Sequence, residues 1–217
     1  MASFQTPDYS HLTQQDYENV YEPAEDTFLL MDALEQDIDN IHQLKPSVCV
    51  EIGCGSGLVI TFLAKILNNS AMYIATDRNA IAAECAKRTA SQNHVVVEVV
   101  TSDLLQALQP QLNGGIDLLL FNPPYVVTPS EEVDSSSIAS SWAGGIDGRQ
   151  VIDRLLPQIP QLLSHKGIFY LLVLRENKPD EIRKAMANMG FQSEKVLQRK
   201  TGPEHLSIIK FYRDPDR

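Results

Sequence analysis

From Glu22 onward, short apolar runs alternate with longer segments whose apolar positions recur at helical spacing. Pro23 suits a first helical turn, and Glu25 and Asp26 put negative charge at the positive end of a helix dipole. Phe28, Met31, Leu34 and Ile38 supply a stripe that buries that helix against a core. Residues 47–52 then predict a buried strand, 58–67 a helix, 71–76 a second strand, 80–92 a helix and 95–100 a third strand. A weak helix over 104–112, a strand over 116–121, a helix over 150–163, a strand over 168–174 and a helix over 179–189 continue the alternation. The last two strands, 191–197 and 206–212, leave no room for a helix between them and are expected to pair antiparallel. A repeated β-α order that closes on a hairpin predicts an α/β fold, with an open, mostly parallel sheet of seven strands and helices on both faces. Residues 1–20, polar and without a period, are expected to form a flexible N-terminal arm on a single domain spanning 21–217.

Composition narrows the classes. A chain of 217 residues, 43% hydrophobic and 21% charged, is ordinary for a globular domain with a sizeable core. No apolar run approaches the roughly 20 residues needed to cross a bilayer, and the first residues lack a secretory pattern, so no membrane is expected. The expected location is the cytoplasm, with nuclear access. Cys49, Cys54 and Cys85 form an odd set without a Cys-x-x-Cys pair, and the five histidines lack ligand spacing, so no metal is expected in this chain. The formal charge of −10 argues against a protein that grips nucleic acid through its phosphates. It suits a basic protein partner, and serves solubility equally well.

The chemistry gathers at the predicted strand ends. Glu51-Ile-Gly53-Cys-Gly55-Ser-Gly57 lies between strand and helix, where glycine permits a sharp turn and close approach of a ligand to main-chain atoms. Its spacing, G-x-G-x-G, departs from the G-x-G-x-x-G of dinucleotide enzymes and points to another adenosine-containing ligand. Asp77 ends the second strand, where a carboxylate can accept from both ribose hydroxyls. At the end of the third, Asp103 can accept from an adenine amino group and Leu104 can offer its backbone amide to the ring. Each acid alone is more often a helix cap or turn residue; three such ends on successive strands favour a ligand site.

The fourth strand ends in Asn122-Pro123-Pro124-Tyr125. Two prolines stiffen the turn and remove two donors, leaving the Pro123 carbonyl and the Asn122 side-chain oxygen to accept. That pair can hold both hydrogens of an NH2 group and aim its nitrogen at a methyl carbon, with Tyr125 stacked on the planar group; catalysis then rests on positioning.

Taken together, Glu51-x-Gly53-x-Gly55-x-Gly57, Asp77, Asp103 and Asn122-Pro123-Pro124-Tyr125 resemble the class I S-adenosylmethionine-dependent methyltransferases, with their Rossmann-like fold, and within them the HemK-like protein glutamine methyltransferases. Tyr21-Glu-Pro-Ala-Glu-Asp-Thr27-Phe28 resembles that family's Pro-x-x-Asp/Glu-Thr segment, which implies that Thr27 helps close the cofactor pocket. Ala143-Gly-Gly-Ile-Asp-Gly148 resembles its glycine-rich segment near the substrate. Only about 50 residues precede the glycine motif, so the chain resembles the eukaryotic and archaeal short form and not the bacterial enzymes with a helical N-terminal domain. The resemblance implies several things. The cofactor is S-adenosylmethionine, held by Thr27, Glu51, Gly53, Gly55, Asp77, Asp103, Leu104 and Asn122. Asn122, Pro123, Pro124 and Tyr125 serve substrate and catalysis. The substrate is the glutamine of the Gly-Gly-Gln tripeptide in a class-one translation termination factor, and the partner is a small zinc-binding activator protein.

The family's sheet order also implies that 94–100 forms an edge strand; its five valines and single charge are an invitation to pair with that partner. Glu131, Glu132 and Asp134, in the loop 126–149, are read as solvated charge on a mobile substrate lid that Trp142 packs down. The alternatives are amino methylation of adenine in nucleic acid and lysine methylation of a basic protein such as a histone. Acidity and the absence of a recognition domain weigh against the first, and a planar acceptor pair fits an amide better than an ammonium.

Overall fold

The computed structural model describes residues 4–133 and 138–214. Asp134, read from sequence as part of a solvated lid, lies outside the described residues. Helices α1 (Gln14–Tyr17), α2 (Glu25–Gln36) and α3 (Ile38–Leu44) precede β1 (Val48–Ile52), α4 (Leu58–Ile66), β2 (Met72–Asp77), α5 (Ala80–Gln92), β3 (Glu98–Thr101) and β4 (Ile116–Phe121). There follow β5 (Val126–Val127), β6 (Ala143–Gly145), α6 (Gln150–Leu155), α7 (Ile159–Leu162), β7 (Leu163–Leu174), α8 (Pro179–Asn188), β8 (Phe191–Thr201) and β9 (Glu204–Arg213).

Seven strands form one sheet in the order β3-β2-β1-β4-β7-β9-β8, with only β9 antiparallel to its neighbours. Alternate residues of each strand serve opposite faces. Cys49, Tyr73, Leu118, Leu120 and Tyr170 pack with α2, α4 and α5, whereas Val50, Ile74, Leu119, Phe169 and Leu171 pack with α6, α7 and α8. Chain order reverses between β1 and β4, the topological switch point at which open α/β sheets place ligands.

Several elements differ from expectation for identifiable reasons. The helix expected over 150–163 is broken into α6 and α7 by a 3-10 turn, because Pro157 and Pro160 each remove a backbone donor. The weak helix over 104–112 shrinks to the 3-10 turn Gln106–Leu108. The edge strand expected over 94–100 begins only at Glu98. His94, at φ +56, and Val95, whose amide reaches Ala90 O at 3.1 Å, are used to terminate α5. From Phe4 the stretch expected to be an arm is laid against the body. Leu12 and Val20 pack on Ala82 and Cys85 of α5, the Asp8 amide donates to Asn93 Oδ1 at 2.8 Å, and Arg88 pairs with Asp16. The loop 126–149 carries the parallel ribbon β5–β6, tied down by the Gly145 amide on Thr128 Oγ1 at 3.2 Å. Among the described residues no helix is long and apolar enough to cross a membrane.

Candidate active site

The glycine loop leaves β1 through Gly53 at φ +63 and enters α4 through Gly57 at φ +75. Gly57 is also required sterically, since a Cβ there would lie 2.5 Å from Ala86 Cα on α5. Gly55 faces open space, with nothing within 4 Å of where its Cβ would sit. Glu51 is buried at the end of β1, and its Oε2 accepts from the Ile60 amide in the first turn of α4 at 2.9 Å. Burial outweighs that bond and pushes its carboxyl up to about 8.

Asp77 stands at the end of β2, one oxygen accepting from the Gly55 amide at 2.9 Å and the other from the Asn79 amide at 2.8 Å. Burial raises its pKa despite both bonds. Each oxygen keeps a second lone pair for a ribose hydroxyl. Asp103 follows β3 and is half-exposed, with its Oδ2 paired to Arg154 of α6. Leu104 is buried and takes φ +52, a left-handed conformation uncommon for a bulky residue.

Asn122 follows β4 and donates through Nδ2 to Asp26 Oδ2 at 2.9 Å. That bond fixes the amide so that its buried Oδ1, which has no hydrogen-bond partner among the described residues, is left to accept. Asp26 is itself 3% exposed and is held by Tyr21 Oη at 3.3 Å and the Thr27 amide at 2.8 Å, both on its Oδ1. Tyr125 is buried nearby, and burial together with the Asp26 charge holds its phenol protonated far above the usual tyrosine range.

All these side chains border one cavity of about 420 Å³. Thr27, Glu51, Gly53, Gly55, Asp77, Asp103, Leu104 and the whole Asn122-Pro123-Pro124-Tyr125 turn line it, so the structure brings every sequence-nominated site residue together. Thr27 Oγ1 accepts from the Ala24 amide at 3.3 Å, which closes the first turn of α2 over the cavity. Tyr21, Asp26, Arg154 and Trp142 also line it. None of these four was nominated as a site residue from sequence: Asp26 reads there as charge at a helix N-terminus, Tyr21 as part of a motif, Trp142 as packing for the lid, and Arg154 carries no local signal. S-adenosylmethionine fits this wall. The open face at Gly55, the free lone pairs of Asp77 and the orphaned Asn122 Oδ1 offer what a cradle, a ribose and a planar NH2 group require.

Residues 25–139 match the model of the family described as the methyltransferase small domain. The chain is 48% identical over 209 residues to "Methyltransferase HEMK2" of Mus musculus, covering 96% of this chain and 97% of that protein. It is 39% identical over 222 residues to the "eRF1 methyltransferase catalytic subunit mtq2" of Schizosaccharomyces pombe, covering 96% and 95%. Among solved structures, that of an E. cuniculi Mtq2–Trm112 complex, described as responsible for methylation of the eRF1 translation termination factor, superposes with a TM-score of 0.67. It is 29% identical and covers 90% of this chain and 99% of that one.

Proposed function

The chain belongs to the methyltransferase small-domain family, in its HemK-like branch, and we propose that it methylates the side-chain amide nitrogen of the glutamine in the Gly-Gly-Gln motif of a class-one translation termination factor. The observation that carries this reading is the buried Asn122 Oδ1, oriented by Asp26 and left without a partner among the described residues. A buried acceptor so placed costs stability unless a ligand donates to it. Bound in the cavity, S-adenosylmethionine supplies an electrophilic methyl carbon; Asp77 would hold its ribose, Asp103 and Leu104 its adenine, and the Gly53–Gly55 turn its backbone-facing side. Asn122 Oδ1 and the Pro123 carbonyl accept the two N–H hydrogens of the substrate amide and orient its nitrogen. Tyr125, neutral and buried, supplies a flat wall against the amide plane. Amide nitrogen is a poor nucleophile because its lone pair is delocalised, so an acceptor pair that favours the pyramidal form binds the transition state better than the ground state.

The same proposal includes a small zinc-binding activator protein as partner. β3 is an edge of the sheet, and Val96 just before it is 76% exposed, which suits addition of a strand from another chain. Cytoplasm with nuclear access is the location expected of an enzyme acting on a translation factor. The test is transfer of labelled methyl from S-adenosylmethionine to a recombinant termination factor, its Gly-Gly-Arg variant and an adenine-containing oligonucleotide. Label confined to the wild-type factor is the expected result; label in the oligonucleotide, or equal label in the variant, overturns the substrate.

A further inference from the structure

Asn177 lies in the 3-10 turn after β7 and is completely buried, far in sequence from every motif that marks the site. Its side chain bonds only to main chain. Oδ1 accepts from the Leu174 amide at 2.6 Å, while Nδ2 donates to the carbonyls of Tyr125 at 2.8 Å, Asp147 at 3.0 Å and Gly148 at 3.3 Å. One amide therefore joins three separated segments: the end of β7, the Asn-Pro-Pro-Tyr turn, and the glycine-rich segment that follows β6.

The junction is tightly built. Asp147 at φ +56 and Lys178 at φ +52 both occupy the left-handed region without being glycine, and Lys178 Nζ reaches Asp147 Oδ2 at 2.7 Å. A Cβ on Gly148 would lie 2.0 Å from the Tyr125 carbonyl oxygen and 2.4 Å from Asn177 Nδ2, so glycine alone permits this approach. Backbone strain of this kind persists where the surroundings over-determine it, and it gathers at sites of function.

We propose that Asn177 is a positioning residue for the protein substrate. It fixes the Tyr125 wall and the 143–148 segment relative to the Asn122 and Pro123 acceptors, and it touches none of the groups assigned to the cofactor. The inference rests on the methyl-transfer reading above. A purely structural asparagine would lower the folded fraction and leave each folded molecule fully active. A positioning residue lowers turnover of the protein substrate while cofactor affinity stays put.

The test compares full-length wild type with Asn177→Asp, which keeps the acceptor for Leu174 but sets a carboxylate oxygen against three carbonyls. Lys178→Ala, at an exposed ion pair, serves as the variant that folds in any case, and Asp117→Ala as a destabilised control remote from the cavity. Methyl transfer to the termination factor, cofactor Kd by calorimetry and thermal midpoint are measured on all four. Asn177→Asp is expected to lose about 100-fold in kcat/KM for the protein, the scale of an ångström-level misplacement, with cofactor Kd unchanged. Lys178→Ala is expected to raise the protein KM about threefold, by loosening the Asp147 segment alone. Activity that merely tracks the folded fraction, as in Asp117→Ala, or a parallel loss of cofactor affinity, overturns the inference, as does wild-type KM in Lys178→Ala. A wild-type chain that transfers no methyl group takes down the functional reading and this one with it; wild type and variants of equal activity take down this one alone.

Discussion

Near the amino end of β4, Asp117 is buried and both its oxygens are occupied, by the Ser47 amide at 2.7 Å and Ser164 Oγ at 2.6 Å, with Lys166 Nζ at 3.7 Å. Past the carboxyl end of the same strand, Asn122 Oδ1 is buried without a partner among the described residues, and the acids of the neighbouring strands, Glu51 and Asp77, have raised pKa values. Both ends bury polar side chains. Around Asp117 the partners come from the fold itself, so its burial is compensated locally. At the carboxyl end compensation is incomplete, and what is missing has the shape of a cofactor and a planar NH2 group.

Substitutions at the two ends are therefore expected to separate binding from stability. Asp77→Ala removes the carboxylate proposed to hold the ribose, and by the usual worth of hydrogen bonds to a charged group it is expected to weaken S-adenosylmethionine binding by about 100-fold, measured by calorimetry. Asp117→Ala strands the Ser47 amide and the Ser164 hydroxyl, and is expected to cost about 2–4 kcal/mol in urea unfolding with turnover per folded molecule unchanged. Asp26→Leu removes the acceptor that orients Asn122, and is expected to slow single-turnover methyl transfer about tenfold, from the loss of one charge-assisted bond. Glu51 tests the carboxyl end through pH. Its carboxyl is held at about 8 in the fold against an ordinary value of 4.5, so between these values the unfolded chain is ionised while the folded chain keeps its proton. Stability from this group is therefore fully present below pH 4.5 and is lost as the pH rises towards 8. Glu51→Gln is expected to flatten that decline in thermal midpoint; an unchanged pH profile would show that Glu51 is ionised in the fold.

The two ends also differed in how far the sequence revealed them. Strand ends are local: Gly53-x-Gly55-x-Gly57, Asp77, Asp103 and Asn122-Pro123-Pro124-Tyr125 each carry their signal within a few residues, and the β-α rhythm places them on one edge. The bonds that complete the site join distant positions. Asp26 lies 96 residues from Asn122, Arg154 lies 51 from Asp103, and Asn177 lies 52 from Tyr125. No periodicity marks such pairs, since a helix-surface acid looks the same whether it faces water or an asparagine. Other departures were of a different kind. Pro157 and Pro160 each withhold a backbone donor and divide the helix, although the apolar spacing around them continues at helical period. The stretch from Phe4 to Val20 has no period because it packs as an irregular strap on α5, through Leu12, Val20 and side-chain bonds to Arg88 and Asn93.

The most direct test of this division of labour is single-turnover methyl transfer to the termination factor by Asn122→Ala and Asp117→Ala side by side, with cofactor Kd measured on the same samples. The account predicts that Asn122→Ala, at saturating cofactor, loses about 100- to 1000-fold in rate, the usual consequence of removing one preorganised polar group from a reacting centre. Asp117→Ala is predicted to react at the wild-type rate per folded molecule. An Asn122→Ala enzyme that transfers methyl as fast as wild type would contradict it.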